Sequence, residues 1–518
     1  MGRGGRMDEP EGMMNLPTSS IALALSASAV AAVLSGTGTG TGTGAAVSEV
    51  RAGAAAGALR WTPCAQKDGP VDQECASLSV PVDYAKPDGP RMTVGVSRLK
   101  SERPQARRGV LLVLAGGPGG SGVQRLGQKG AALRAETDGA YDLVTLDPRG
   151  VGRSTRASCR LPADDRMLVN FRPWPGADGG IEETVERSRR VAQACAEHGG
   201  AELFSFSSAN QVRDIERFRQ ALGAEKLSAW AHSYGVYVGA LYAQKYPERT
   251  DRWVLDSGGD PDHRKVAQKW MTNTGRAVED RFPDFAAWAS DPAREPALRL
   301  AERAEEVRPL VLGLAAELDR RPKGTTTPNT PLTGNALRQA LHTALYSDSA
   351  FESFARLVRD ARDPERVPVL PGALVNPISD EDAAVATAVI CNDVRWPASV
   401  PEYRRAVSAD RARYPLTAGM PANIMPCSFW RAPAEKPARI TSEGPSNILV
   451  VQALRDPSTP HFGAVKLREA LGRRARLVSV DAGGHGVYLG VGNACADRTV
   501  TGFLTTGERP EGDIRCES

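Results

Sequence analysis

The sequence predicts an α/β protein: a mostly parallel sheet with helices on both faces, broken by a large helical insertion. Three observations predict it. Short, continuous apolar runs recur at Gly109 to Ala115 and Tyr141 to Leu146, as in central strands buried on both faces. Segments of helical spacing, such as Gln211 to Leu222, alternate with them. From about Gly258 to Ser446 the rhythm turns mostly helical with proline-rich breaks, and strands return at Asn447 to Gln452 and Arg476 to Val480.

Length and composition bound the rest. At 518 residues the chain is too long for one simple core, which suggests roughly two to four domains or one large domain with an insertion. A hydrophobic share of 41% with 24% charged residues fits a globular protein. The net charge of +4 is small for this length and makes no case for nucleic acid or an anionic membrane surface as partner. Eight cysteines follow the N-terminal stretch, none in a C-x-x-C pair, so zinc is not expected. No cofactor is expected. An even, spaced set suggests disulfides and an oxidising compartment. Eight cysteines allow 105 pairings. Short loops favour the sequential set Cys64–Cys75, Cys159–Cys195, Cys391–Cys427 and Cys495–Cys516.

The elements follow in order. Residues 1–58 read as a signal peptide and flexible leader. Ile21 to Leu34 is an apolar run too short for a comfortable membrane span but suited to a signal-peptide core. A Gly-Thr repeat runs from Gly36 to Gly44, and Met13 or Met14 are alternative starts. Secretion, with no stable membrane span after processing, is the expectation. Folded sequence begins near Trp61. Leu78 to Tyr84 and Met92 to Leu99 read as strands joined by a turn at Lys86-Pro-Asp-Gly-Pro90. A first core part is expected at 59–257, a helical lid at 258–446 and a second core part at 447–518. Lid helices are expected at Leu298 to Leu318, Asn335 to Leu345, Ala350 to Arg362 and Glu381 to Cys391. Composition leaves the oligomeric state open.

In such sheets function gathers at the carboxyl ends of the strands. Those ends carry Gly116–Gly122, Asp147–Ser154, Ser233, Asp456 and His485. An apolar strand from Leu227 runs into Ser233, and small residues then lead into a helix. A serine at such a turn is held strained and exposed, and the usual pattern is G-x-S-x-G. Here Ala231 stands at the first glycine position. A serine hydroxyl needs a base to take its proton. Of six histidines, His485 lies in a glycine loop past a strand, His232 adjoins Ser233 and should point away from it, and His461 is the main rival. Asp456 is the acid that would fix the imidazole, with Asp256 as the alternative. Ser233, Asp456 and His485 give the chain order of α/β-hydrolases.

The Gly116–Gly122 loop has two functional readings. Gly117, Gly119 and Gly122 match G-x-G-x-x-G, a weak dinucleotide signature in so glycine-rich a run. The better reading is an oxyanion hole, formed by the N–H of Gly117 with that of Tyr234. Asp147 and Arg149 are expected to pair and hold the loops near the site.

These residues resemble the prolyl iminopeptidase family of α/β-hydrolase peptidases, and among them the secreted tripeptidyl aminopeptidases of Streptomyces-like bacteria. The resemblance rests on Gly116-Gly-Pro-Gly119, Asp147-x-Arg-Gly-x-Gly-x-Ser154, Ser233-Tyr-Gly235, Asp456 with Thr459-Pro460, and Gly484-His485-Gly486. Cys64, Cys75 to Tyr84, and Cys427-Ser-Phe-Trp430 resemble the flanking segments. Ala231 for Gly, and Ala115 where a histidine often precedes Gly-Gly-Pro, are the departures. The resemblance implies peptide substrates, cut from a free N-terminus. Such an exopeptidase needs carboxylates for the substrate ammonium, and Asp393 is the first candidate, with Glu381 and Asp382 behind it. A carboxylesterase-like hydrolase with the same triad, and a non-catalytic binding protein of the same fold, are the other readings.

Overall fold

The computed structural model describes residues 59–64 and 69–518, so the leader expected at 1–58 lies outside the described residues. The strands are β1 (Thr62–Pro63), β2 (Glu74–Pro81), β3 (Arg91–Leu99), β4 (Gly109–Leu114), β5 (Tyr141–Leu146), β6 (Leu227–His232), β7 (Thr250–Asp256), β8 (Ile448–Arg455), β9 (Ala475–Gly483) and β10 (Ile514–Cys516). They form one sheet in the order β1-β2-β3-β5-β4-β6-β7-β8-β9-β10. Pairing is antiparallel from β1 to β5 and parallel from there to β10. The strand order reverses at β4, flanked by β5 and β6, which opens a crevice at the carboxyl ends there.

The longer helices of the first part are α1 (Gly122–Glu136), α2 (Glu182–His198), α3 (Ser208–Ala221) and α4 (Tyr234–Lys245). Between β7 and β8 come α5 (Val266–Ser290), α6 (Ala304–Arg320), α7 (Gly334–Ala344), α8 (Phe351–Arg362), α9 (Asp380–Asp393) and α10 (Val400–Arg413). After β8 come α11 (His461–Leu471) and α12 (Ala494–Thr506).

Why β4 reads as an unbroken apolar run is visible in its packing. Leu112 and Leu114 join the core shared with α3, α4 and α9, whereas Leu111 and Val113 join the opposite core with Leu126 and Leu133 of α1 and Phe503 of α12. Side chains alternate across a strand, so a strand covered on both faces needs apolar residues at every position. Helices α5 to α8 build a separate core around Phe285, Val311, Leu337, Leu341 and Phe354. Helix α9 differs: Ala383, Ala384, Val385 and Ala388 are buried in the sheet's own core, so this helix is bound to the sheet and not only to its neighbours.

Some boundaries differ from the sequence reading. β2 begins at Glu74, earlier than Leu78, because Cys75 pairs opposite Ser97 and is bridged to Cys64. The helix expected from Leu298 starts at Ala304. Before it the chain folds back, with the Leu300 N–H on the Ala289 carbonyl at 2.8 Å. The 25-residue helix α5 carries Pro283 inside it, which hides its length from a sequence reading.

The four disulfides are Cys64–Cys75, Cys159–Cys195, Cys391–Cys427 and Cys495–Cys516, the sequential set. Among the described residues no helix is long and apolar enough to cross a membrane.

Candidate active site

β6 delivers Ser233 to the crevice with φ 55° and ψ −125°, a conformation costly for a non-glycine residue, and α4 starts at the next residue. Two glycines let the turn close. A Cβ on Gly235 would stand 2.6 Å from the Ala115 carbonyl oxygen, so α4 can only approach β4 with glycine there. Gly239 answers the Ala231 departure: a Cβ on it would lie 3.1 Å from that of Ala231. The methyl absent from α4 leaves room for the one present on β6.

Ser233 Oγ lies 2.8 Å from His485 Nε2. His485 Nδ1 lies 2.8 and 3.0 Å from the two oxygens of Asp456. Asp456 is buried and also accepts from the Ser458 and Thr459 N–H groups at 2.8 Å, the Thr459 hydroxyl at 2.9 Å and Gln452 Nε2 at 3.0 Å. Its surroundings are all donors, which fits a carboxylate. With the Nδ1 proton directed at Asp456, Nε2 is left to accept from Ser233. The arrangement can make the serine a nucleophile.

The histidine is held from several sides. Its N–H donates to the Tyr346 carbonyl at 3.0 Å, and its ring meets the Tyr346 ring edge-on at 5.3 Å between centroids. Tyr346 follows α7, so the segment between β7 and β8 reaches over the site. On the same helix, burial, aided by the nearby Arg172 charge, drives His342 down to about 3, against a bond to the Pro457 carbonyl that favours its charged form. Its Nε2 is buried without a partner among the described residues. His232 lies beneath, its ring 5.0 Å from that of His485. Burial, then the Arg125 and His485 charges, lower its basicity strongly. A Cβ on Gly486 would stand 2.9 Å from His232 Nε2, so glycine lets the loop cross this ring. His461, the rival base, faces away and bonds Ser479 Oγ at 2.8 Å.

The glycine loop packs against the nucleophile. A Cβ on Gly116 would stand 2.6 Å from Ser233 Cβ and 3.1 Å from its Oγ. Among the described residues neither the Gly117 nor the Tyr234 backbone N–H has a hydrogen-bond acceptor. Unpaired N–H groups beside a nucleophile are what a developing oxyanion requires.

Two expectations need correcting. Asp147 and Arg149 do not pair. Asp147 accepts from Ser121 Oγ at 2.6 Å, Val123 N–H at 3.1 Å and Arg153 N–H at 2.9 Å. Arg149 forks onto Asp214 at 2.7 and 2.9 Å and donates to the Pro81 and Val82 carbonyls. Asp393 presents no open carboxylate for an ammonium. It is buried, and its oxygens take the Ser208 N–H at 2.8 Å, the Ser208 hydroxyl at 2.6 Å and the Tyr234 hydroxyl at 2.7 Å. Glu381 and Asp382 face Arg156 instead, at 3.9 and 3.0 Å.

Sequence reasoning left Asp256 as a spare acid. It is fully buried at the tip of β7 and bonds the backbone beyond His485. Only its place at a strand's carboxyl end signalled it.

A strand-to-helix nucleophile turn at the switch point of a mostly parallel sheet, with acid and histidine following in that order, defines a serine hydrolase of the α/β-hydrolase fold. The family model described as TAP-like protein matches residues 414–516. The chain is 33% identical over 480 residues to the tripeptidyl aminopeptidase of Streptomyces lividans, covering 90% of this chain and 88% of that one. It is 26% identical over 483 residues to serine protease Hip1 of Mycobacterium tuberculosis, covering 88% and 91%. It is also 29% identical over 463 residues to carboxylesterase B of the same species, covering 85% and 86%. The chain belongs to the tripeptidyl aminopeptidase family.

Proposed function

We propose that the protein is a secreted serine exopeptidase that releases short peptides, tripeptides above all, from free N-termini through an acyl-enzyme on Ser233. The observation that carries this is the unbroken chain of 2.8 Å contacts from Ser233 through His485 to Asp456. His485 Nε2 takes the Ser233 proton as Oγ attacks the scissile carbonyl carbon, and Asp456 stabilises the imidazolium. The Gly117 and Tyr234 N–H groups receive the oxyanion. The imidazolium then protonates the leaving amine, the C–N bond breaks, and the acyl-enzyme remains. Water, deprotonated by His485, hydrolyses the ester and frees Ser233.

Residues 59–257 and 447–518 serve as the catalytic core and 258–446 as the lid. Contact between Tyr346 and His485 supports that division, since a covered site favours chain ends over internal loops. Likeness to the Streptomyces lividans tripeptidyl aminopeptidase over 90% of the chain supports the product length. Four disulfides and the apolar run Ile21 to Leu34 support export. A carboxylesterase activity is the second reading, favoured by the likeness to carboxylesterase B, because ester and amide cleavage share this machinery.

Digestion of a synthetic peptide, with products read by mass spectrometry, tests the proposal. Stepwise tripeptide release from the free peptide, and none from its N-acetylated form, is the expected result. Internal cleavage of both forms would overturn the exopeptidase reading.

A further inference from the structure

His485 sits between two glycines with positive φ, 110° at Gly484 and 100° at Gly486. Glycine permits many backbone states, so the loop does not fix its own ring position. The bonds that do so converge on one place. The Asp256 carboxylate accepts the Val487 N–H at 2.9 Å on Oδ1 and the Tyr488 N–H at 3.0 Å on Oδ2. Ser257 Oγ accepts the Gly486 N–H at 3.0 Å and donates to Asp256 Oδ1 at 2.8 Å. Three successive N–H groups after the histidine therefore end on two adjacent residues.

The same pair reaches the other two members of the triad. The Asp256 carbonyl accepts the Ser233 N–H at 3.0 Å. The Thr459 hydroxyl lies 2.9 Å from both the Ser257 carbonyl and Asp456 Oδ2. Ser257 adopts φ 61°, strained for a side-chain-bearing residue and held by these bonds. Trp230 Nε1 supplies a fourth donor to Asp256 at 3.1 Å, and Arg125 of α1 lies over the Trp230 ring at 4.9 Å. Lys129, one turn on, donates to the Leu489 carbonyl at 2.7 Å. The charges that reach Asp256 are those of Arg125 and Lys129 from α1.

We propose that Asp256 and Ser257 are positioning residues for the reaction: they set the register of the His485 loop against Ser233, acting through backbone N–H groups and not as the triad acid. The inference rests on the Ser233–His485–Asp456 reading.

A fluorophosphonate probe tests it, because its rate of reaction with Ser233 reports activation of the serine whatever the peptide specificity. Asp256→Asn keeps size but turns an amide toward donors. Its labelling is expected to slow about 100-fold, the scale of a small misplacement at a reacting centre. The loss should fall on the rate at saturating probe, with the half-saturating probe concentration unchanged, because misalignment slows the attack and not the binding. Ser257→Gly suits the positive φ and removes one acceptor. Its labelling is expected to slow about tenfold, with its melting temperature unchanged within a few degrees. If Asp256→Asn does not fold, this second variant decides the matter. Labelling of Ser257→Gly at the wild-type rate would overturn the proposal, as would slowed Asp256→Asn labelling that comes wholly from weaker probe binding. A wild-type protein that the probe does not label would remove the triad reading, and this inference with it.

Discussion

The Tyr234 hydroxyl donates to the Asp393 carboxylate across 2.7 Å, joining the residue after Ser233 to the last residue of α9. Two residues before Asp393, Cys391 is bridged to Cys427. The Tyr234 side of the site is thereby bolted to a helix of the segment between β7 and β8. Burial, then the Asp393 charge, pushes the Tyr234 phenol well up, so it stays a donor, and burial also raises Asp393.

Replacing that phenol separates structure from catalysis. Tyr234→Phe keeps the backbone N–H and leaves Asp393 with Ser208 alone. Urea denaturation is expected to show a loss of about 1–3 kcal/mol, the cost of an under-served buried group. The turnover number should stay within a few-fold. A collapse of turnover at unchanged stability would contradict a purely structural phenol.

Gly116 makes a steric prediction. Its missing Cβ would stand 2.6 Å from Ser233 Cβ and 3.1 Å from the His232 carbonyl oxygen, inside contact distance of backbone that cannot yield. Gly116→Ala is expected to cut probe labelling of Ser233 by more than about 100-fold, while circular dichroism stays native. Wild-type labelling would mean the loop stands farther from Ser233 than these distances.

How much of this was legible in the chain depends on how local each signal is. β5 was read to the residue, because a strand buried on both faces writes an unbroken apolar run. Ser233, Asp456 and His485, which the structure brings together, could be picked out because turn chemistry and a place at a strand's end are properties of short segments. The disulfide set was legible because each partner is the next cysteine along. Pairing of buried ions was not. Asp393 meets Ser208 across 185 positions, and Arg149 meets Asp214 across 65, so neither partner is visible from its own neighbourhood. The 25-residue α5 was missed because Pro283 and mixed polarity interrupt its pattern. Asp256 stood in plain view at a strand end, but its work lies in bonds to backbone N–H groups, which side-chain motifs do not record.

Asp410 on α10 predicts a pH effect. Its Oδ2 is buried with no partner among the described residues. Burial pushes the carboxyl up to about 6 from an ordinary 3.8, against the pull of Arg413. Between those values the folded protein holds a proton that the unfolded chain has lost, so stability falls as pH rises through that window. Above it the penalty is complete. Asp410→Asn is expected to be more stable than wild type in urea near about pH 8, with the gain vanishing near about pH 4. A gain that does not vary with pH would place its source elsewhere.

Whether Ser233 drives tripeptidyl aminopeptidase chemistry is decided by hydrolysis of Ala-Ala-Pro-coumarylamide by the purified protein, beside its N-succinylated form, Pro-coumarylamide and a p-nitrophenyl ester. Ser233→Ala serves as the control. Cleavage of the free tripeptide amide, lost on succinylation and in the Ser233→Ala protein, is the expected result. Activity on the ester alone would contradict the peptidase claim and leave the triad standing; amide cleavage that survives Ser233→Ala would contradict the triad itself.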